Sequence, residues 1–419
     1  MPVYFFIQGL RDGFGSLPYA WEIAKTIPWI ALVVLLKLYF GGASNTSERN
    51  MHSKVVMITG GTSGIGAQVV KGLAARGAQL VLLTQHPLND PFLVDYILDL
   101  REQTNNELIT AEQVDLSSLH SIRLFATKWV DNAPPRRLDM IILCANTLTP
   151  PGGSISTTQD GLEASWGINY ISNFHLLSIL SPALRAQPPD RDVRVIFGTC
   201  SSYMGGRLPG IDYSDDPSNR PSKPKTKKNA AVASSPASTG PSAAYAASKL
   251  ALMTFASAFQ KHLSTYVRPD KQPMNTRVIV VDPGWTRTPG MRRYITFGSL
   301  WGLLVYLVTW PFWWLVLKSP IQGAQPFLWA AMDARLGHGE GGYFVKECRE
   351  VRKMRPEIED EDVQRRLWEL SEKTVQTLEK ASAERRAREK KEKGEKPVDA
   401  ATKDPEVKKQ GSRRSRKAG

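Results

Sequence analysis

The sequence predicts an α/β fold: a doubly wound, Rossmann-like parallel sheet in a single large domain, with apolar segments associated with a membrane. Three observations carry this. From residue 54 onward, short β-branched runs alternate with amphipathic stretches, the pattern of βαβ units. The first such run leads into a glycine-rich turn and then a helical stretch, the context that a dinucleotide pyrophosphate requires. Residues 294–317 form a 24-residue stretch without a charge inside the domain.

In chain order, the first 50 residues are expected to be a membrane-associated segment. Within it, residues 28–40 (PWIALVVLLKLYF) are apolar except for Lys37, but these 13 residues fall short of the roughly 20 a spanning helix needs. An uncleaved anchor lying in or entering one leaflet is expected, with an ordinary packing helix as the alternative. The domain proper occupies residues 51–350, with strands predicted at 55–59, 80–83, 108–114, 138–143, 193–199, 276–281 and 343–345. Residues 215–240, rich in Pro, Ser, Lys and Asn, interrupt that order as a polar surface insertion.

Residues 294–317 are long enough to cross a bilayer, but one crossing would put parts of a single sheet on opposite sides. Pro311 among Trp310, Phe312, Trp313 and Trp314 can break and redirect the helix. The segment therefore reads as a monotopic hairpin or in-plane element, or else as a buried lid on a cavity. Residues 351–380 form a C-terminal helix, with Val363, Leu367, Leu370, Val375 and Leu378 on one face. Residues 381–419 form a basic tail expected to be solvated and disordered.

Composition narrows the function. Over 419 residues, 42% hydrophobic and 22% charged content excludes wholesale disorder and a multi-span membrane protein. The net charge is +14, but residues 381–419 hold 14 Lys and Arg against 7 Asp and Glu, a net of +7 and half of the total. The excess belongs largely to the tail, so no nucleic-acid partner is expected. Three scattered cysteines, Cys144, Cys200 and Cys348, make neither a disulfide framework nor a CxxC site and point to a reducing compartment. The six histidines lack metal-binding spacing, so no metal is expected.

The chemistry concentrates in a few places. In Thr59-Gly60-Gly61-Thr62-Ser63-Gly64-Ile65-Gly66, the glycines permit close backbone approach and the helix N-terminus offers free N–H groups to an anion. A site selective for NAD usually ends its second strand in a carboxylate that holds the ribose 2′-hydroxyl. Here the strand ends Leu83-Thr84-Gln85-His86, which tilts the choice toward NADP with NAD still open. Asp115 could accept from an adenine amino group or cap the next helix with Ser117. Tyr245 and Lys249 stand at i and i+4 on one helix face, where a lysine cation favours the phenolate and makes a usable acid/base. Ser202, after the fifth strand, could hold a carbonyl oxygen or belong to a turn. Asn169, on an amphipathic helix, could relay a proton or serve packing. Cys144 and Cys200 read as small residues at sheet ends.

Taken in order, TGGTSGIG, DLSSLHSIRLFA, NYISNF, Ser201-Ser202, YAASK and DPGWTRT make residues 54–345 resemble the short-chain dehydrogenase/reductase superfamily. SPIQGAQ from Ser319, GGYF from Gly341 and RLWELSE from Arg366 resemble its retinol-dehydrogenase-like branch. The resemblance implies a catalytic set of Asn169, Ser202, Tyr245 and Lys249. It implies a nicotinamide cofactor held by Gly60, Ser63, Gly64, Ile65, Gly66, Asp115, Asn146, Tyr245, Lys249, Pro283, Gly284 and Thr288. Two departures stand out: the usual NNAG run appears as Leu143-Cys144-Ala145-Asn146, and 43 residues separate Ser202 from Tyr245.

The expected protein interconverts a carbonyl and an alcohol on a lipophilic molecule of the retinoid, steroid or fatty aldehyde type. It would sit on the endoplasmic reticulum membrane or a lipid droplet with its catalytic domain in the cytosol. Its partners would be that substrate and membrane lipid, with homodimer formation open. The alternative is a non-catalytic, membrane-bound nucleotide sensor or scaffold that keeps the fold.

Overall fold

The computed structural model describes residues 20–211 and 240–392. The predicted insertion, apart from residue 240, and the tail beyond residue 392 lie outside the described residues. The chain divides into two compact units, Met1–Glu379 and Lys380–Gly419. Of the second, residues 380–392 are described, and they are helical.

Six parallel strands follow the predicted order: β1 Val55–Thr59, β2 Gln79–Thr84, β3 Ile109–Gln113, β4 Met140–Leu143, β5 Val193–Gly198 and β6 Thr276–Asp282. β7 (Tyr343–Lys346) extends the sheet in parallel and β8 (Arg349–Glu350), which the sequence did not announce, closes it antiparallel. The order is β3-β2-β1-β4-β5-β6-β7-β8. The chain reverses its direction of growth between β1 and β4, and open sheets of this kind bind ligands at the carboxyl ends beside such a switch point.

Helices cover both faces, so the strands are buried on both sides and read as continuous apolar runs. One core joins Met57, Ile141, Val195 and Phe197 to α4 (Leu119–Val130), α5 (Ser172–Arg185), α6 (Pro241–Ser264) and the start of α11 (Glu361–Glu392). The other joins Val56, Ile58, Leu82, Ile142 and Ile196 to α2 (Gly64–Ala74), α3 (Pro91–Thr104) and α10 (Pro320–Met332). Strand alternation divides these residues between the two cores. α11 is helical through Glu392, the last described residue, rather than only to near residue 380; Val363, Leu367, Val375 and Leu378 are buried as the periodicity requires, while Leu370 is only half-buried.

The apolar segments depart from their sequence outlines. α1 runs Ala20–Gly41, with Pro28 inside it rather than at its start. At 22 residues and ~1.5 Å per residue it is about 33 Å long, so the 13-residue limit was too short. Its window Ala24–Gly41 has mean hydropathy 1.5 and is only 6% buried, making it long and apolar enough to cross a membrane. Residues 294–317 are broken into short pieces: the end of α7 (Pro289–Ile295), α8 (Leu300–Val308) and α9 (Trp310–Val316). The main break falls at Thr309, because Pro311 starts the new helix, where its missing N–H costs nothing.

α1 and α9 are joined by Lys37, whose Nζ donates to Trp314 O at 2.5 Å and stands 4.8 Å from the Trp314 ring centroid. Trp21, Trp29, Leu35 and Leu38 on α1 are exposed, as are Leu300, Trp301, Leu304, Val308 and Phe312 on and beside α8 and α9.

Candidate active site

The glycine-rich turn is built as the sequence required. Gly60 has φ +67°, and a Cβ there would lie 2.7 Å from Ala145 Cα; one on Gly66 would lie 2.1 Å from Gly60 O. Only glycine lets β1 turn this tightly beside the β4 loop. That loop is sewn to β1, since Ala145 N donates to Thr59 Oγ1 at 3.2 Å and Cys144 N to Thr59 O at 3.3 Å. Ala145 keeps the close packing in LCAN, so the run retains a defined geometry against the turn.

Gly64 opens α2 and Ser63 is its N-cap, with no side-chain cap bond and no acidic residue in the first turn. The first N–H groups of this 11-residue helix therefore remain available to an anion.

α6 begins with Pro241 in its first turn and carries Tyr245 and Lys249 on one face. Both are buried, at 9% and 3% exposure. Lys249 Nζ donates to Gly198 O at 3.1 Å and lies 5.7 Å from the Tyr245 ring centroid. Burial pushes the Lys249 ammonium below its ordinary range. Burial also pushes the Tyr245 phenol well above 10, and the neighbouring Cys200 adds to that rise.

Among the described residues, two side chains touch the Tyr245 hydroxyl: Asn146 Nδ2 donates to it at 3.3 Å, and Cys200 Sγ stands at 3.3 Å. Asn169 reaches neither Tyr245 nor Lys249. It lies in a π-helical stretch, Gly167–Ile171, of a kind common at functional sites. Its carboxamide accepts from Thr147 N at 2.8 Å and donates to Thr147 O at 2.9 Å and to Ser248 Oγ at 3.3 Å.

Tyr245, Lys249, Asn146 and Cys200 face a cavity of about 500 Å³ that is also lined by Ile65, Cys144, Thr199, Ser202, Pro283, Gly284 and Thr288. Tyr294, Ile295, Trp313 and Leu317 also line it. The segment predicted as hairpin or lid thus presents an inner wall to the cavity and an exposed outer face. A second cavity, of about 700 Å³, shares Ser242, Tyr294, Ile295 and Trp313 with the first and is otherwise lined by groups such as Phe297, Val305 and Tyr306. The loop after β6 is held in place: Lys318 N donates to Trp285 O and Arg287 N to Lys318 O, both at 2.9 Å, while Lys318 pairs with Glu347.

The short chain dehydrogenase family profile matches residues 54–204. Uncharacterized oxidoreductase pbr1 of Schizosaccharomyces pombe is 42% identical over 361 residues, 86% of this chain and 91% of its own. Retinol dehydrogenase 13 of Mus musculus is 32% identical over 347 residues, covering 82% of this chain and 90% of its own. The chain belongs to the short-chain dehydrogenase/reductase superfamily. Within the superfamily it lies in the retinol-dehydrogenase-like branch, a group of oxidoreductases. A solved structure described as an uncharacterized protein from Mycobacterium Paratuberculosis shares the fold, at TM-score 0.52 and 21% identity over 80% of this chain and 98% of that one.

In this short-chain dehydrogenase/reductase, Ile65, Asn146, Ser202, Tyr245, Lys249, Pro283, Gly284 and Thr288 line one cavity, whereas Asn169 and Asp115 do not. Ser202 lines the cavity, but its side chain is exposed and makes no hydrogen bond to Tyr245 among the described residues; Cys200, read earlier as a small sheet-end residue, occupies that place. Asp115 does not cap α4, because Ser118 does; its carboxylate accepts from Ser117 N and Gln159 Nε2, both at 2.8 Å, and it does not line the cavity. Thr288 uses its hydroxyl to cap α7, accepting from Met291 N at 3.2 Å. Strand geometry was the missed signal for Cys200: the residue stays extended, at φ −156° and ψ 161°, and the 3₁₀ turn Ser201–Gly205 begins only after it.

The pocket's own groups fit a nicotinamide dinucleotide. The acid-free N-terminus of α2 suits a pyrophosphate, and the buried Lys249 ammonium, with Gly198 O as its hydrogen-bond acceptor, can still donate to a ribose hydroxyl.

Proposed function

We propose that the protein is an NADP(H)-dependent oxidoreductase that interconverts a carbonyl and an alcohol on a lipophilic molecule of the retinoid, steroid or fatty aldehyde type. In this reading it is bound to the endoplasmic reticulum membrane or a lipid droplet, with its catalytic domain in the cytosol. The observation that carries the reading is the Tyr245–Lys249 pair at the wall of a cavity that the apolar Ile295, Trp313 and Leu317 also line.

The bound nicotinamide supplies or accepts the hydride. Tyr245 handles the proton: burial keeps its phenol protonated at neutral pH, ready to donate to a carbonyl oxygen during reduction. In the oxidative direction the same oxygen takes the alcohol proton, and the Lys249 cation lowers the cost of the phenolate. Asn146 orients the hydroxyl, and Asn169 fixes the loop that carries Asn146. Trp313, Ile295 and Leu317 exclude water and accept an apolar substrate body.

The cofactor preference is supported by the end of β2. After Thr84 no carboxylate occurs until Asp90, which caps α3 through Phe92 N and stands 3.5 Å from His86. Membrane association is supported by α1, long and apolar enough to cross a membrane, and by the exposed large apolar side chains of α8 and α9. Because the inner side of the α7–α9 segment lines the cavity, substrate can enter from the lipid.

The test is turnover by the purified, detergent-solubilised protein of a panel of retinoid, steroid and fatty aldehydes with NADPH or NADH. Oxidation of NADPH with at least one carbonyl, faster than of NADH, is expected. Binding of nucleotide without turnover of any carbonyl or alcohol would point instead to a scaffold.

A further inference from the structure

Distant stretches of chain meet at one buried ammonium. Lys318 follows α9, and its Nζ pairs with the half-buried Glu347 carboxylate just beyond β7. Gly42, just past the end of α1, has φ +73°, and a Cβ there would lie 2.6 Å from Lys318 Nζ; a Cβ on Gly284, at φ +75°, would lie 3.1 Å from the same atom. The ammonium is thus packed between the end of the N-terminal helix and the loop after β6, where glycine permits the close approach. The second Glu347 oxygen accepts from Ala43 N at 3.0 Å, so one carboxylate holds the lysine and the end of α1 together. Burial pushes the Glu347 carboxyl up, but the bonds from Lys318 and Ala43 N–H outweigh it and hold the carboxyl below its ordinary range.

The loop held in this way is the one that walls the cavity, through Pro283, Gly284, Trp285, Thr286 and Thr288. Its backbone is bonded to that of Lys318 at Trp285 and Arg287. At its start Gly284 N donates to Asp282 Oδ1 at 2.9 Å, and Lys346 Nζ stands 3.6 Å from Asp282 Oδ2. Two neighbouring residues at the end of β7, Lys346 and Glu347, therefore brace the loop in two places. Immobilising loop residues on binding costs affinity, and a loop fixed beforehand avoids that cost.

We propose that Lys318 and Glu347 are positioning residues for the cofactor loop and join it to the end of α1, so that the N-terminal helix supports nucleotide binding as well as the membrane seat. The proposal rests on the oxidoreductase reading above for the identity of the nucleotide. Neither residue lines the cavity, so both act through the loop rather than on the cofactor itself. Removing either one leaves the other charge half-paired and frees the glycine contact on both sides of the ammonium. The loop then samples more conformations before the nucleotide arrives, and affinity falls while the reacting groups at Tyr245 and Lys249 are untouched.

The experiment has an affinity arm and an exchange arm on the full-length protein in detergent. Lys318→Met and Glu347→Ala are each expected to weaken NADPH binding about five- to tenfold in fluorescence titration, with kcat for decanal at saturating NADPH within about twofold of the wild type. The double variant should lose no more than either single one, because the two side chains act as a unit. Gly42→Val keeps α1 whole but sets a Cβ against the ammonium; it should weaken NADPH binding by a similar factor while the protein stays in the membrane fraction. In hydrogen–deuterium exchange without nucleotide, the amides of residues 284–288 should exchange faster in each variant than in the wild type, with those of α6 unchanged. Unchanged NADPH affinity or unchanged loop exchange in Lys318→Met and Glu347→Ala would overturn the proposal, and wild-type affinity in Gly42→Val would overturn the part given to α1. Should the wild type bind neither NADPH nor NADH, the oxidoreductase reading fails on its own, while the exchange arm still decides whether the pair holds the loop.

Discussion

The carboxamide of Asn169 grips the backbone of Thr147 from both sides, accepting from its N–H at 2.8 Å and donating to its C=O at 2.9 Å. Thr147 follows Asn146, whose side chain donates to Tyr245, so a fully buried amide on one helix sets the position of the reacting hydroxyl on another. Asn169→Ala removes both bonds and strands two backbone groups. The expected cost is about 1–3 kcal/mol in urea unfolding, together with a fall in kcat that exceeds any change in NADPH affinity. A variant with unchanged unfolding and unchanged kcat would show that the clamp does not position the site.

Far from the site, Asp192 holds the N-terminal linker to the base of the sheet. It accepts from Arg194 Nη2 at 2.6 Å and from Arg49 Nη1 at 2.5 Å, and Arg194 is fully buried. Burial pushes the Asp192 carboxyl up, but the bonds and charges of Arg194 and Arg49 outweigh it and hold the carboxyl at about 2. As pH falls, the unfolded chain takes up this proton first. The contribution, about 2 kcal/mol, is therefore present above the ordinary carboxylate range and lost as pH falls through the folded value. Asp192→Asn should lower stability at neutral pH and flatten that acid limb in urea titrations; an unchanged limb would mean other carboxylates carry it.

The membrane reading predicts redundancy, because two modest anchors can substitute for one another. Replacing Leu304, Leu307, Val308 and Phe312 with Ser or Asn, or deleting residues 20–41, should each leave the protein largely membrane-bound. The double variant should be released by carbonate extraction of cells. A double variant that resists extraction places the anchor elsewhere, and a soluble wild type makes the α7–α9 segment a lid alone.

How much of this was legible beforehand follows from local physics. β1 was read to the residue because VVMIT ends against a glycine turn that only glycine can make. β8 was not, because its hairpin turns through Glu347 and Cys348 at φ +53° and +51°, without the Asn or Gly that usually marks such a turn. The apolar stretch of residues 28–40 understated its helix, because α1 carries Pro28 internally and extends to Ala20 on its N-terminal side. The Tyr245–Lys249 pair was legible in its i, i+4 spacing taken together with its place in the ordered run of motifs. That Cys200 rather than Ser202 touches the Tyr245 hydroxyl was not, because it depends on where the strand stops and the 3₁₀ turn begins.

The central claim is that Tyr245 exchanges the proton while the nicotinamide exchanges the hydride. It is tested most directly by Tyr245→Phe, measured as NADPH oxidation with the best lipophilic aldehyde from the panel and, in parallel, as NADPH affinity by fluorescence titration. Loss of a general acid predicts turnover lower by at least about 100-fold with affinity essentially unchanged. Near-normal turnover in the phenylalanine variant would contradict the account.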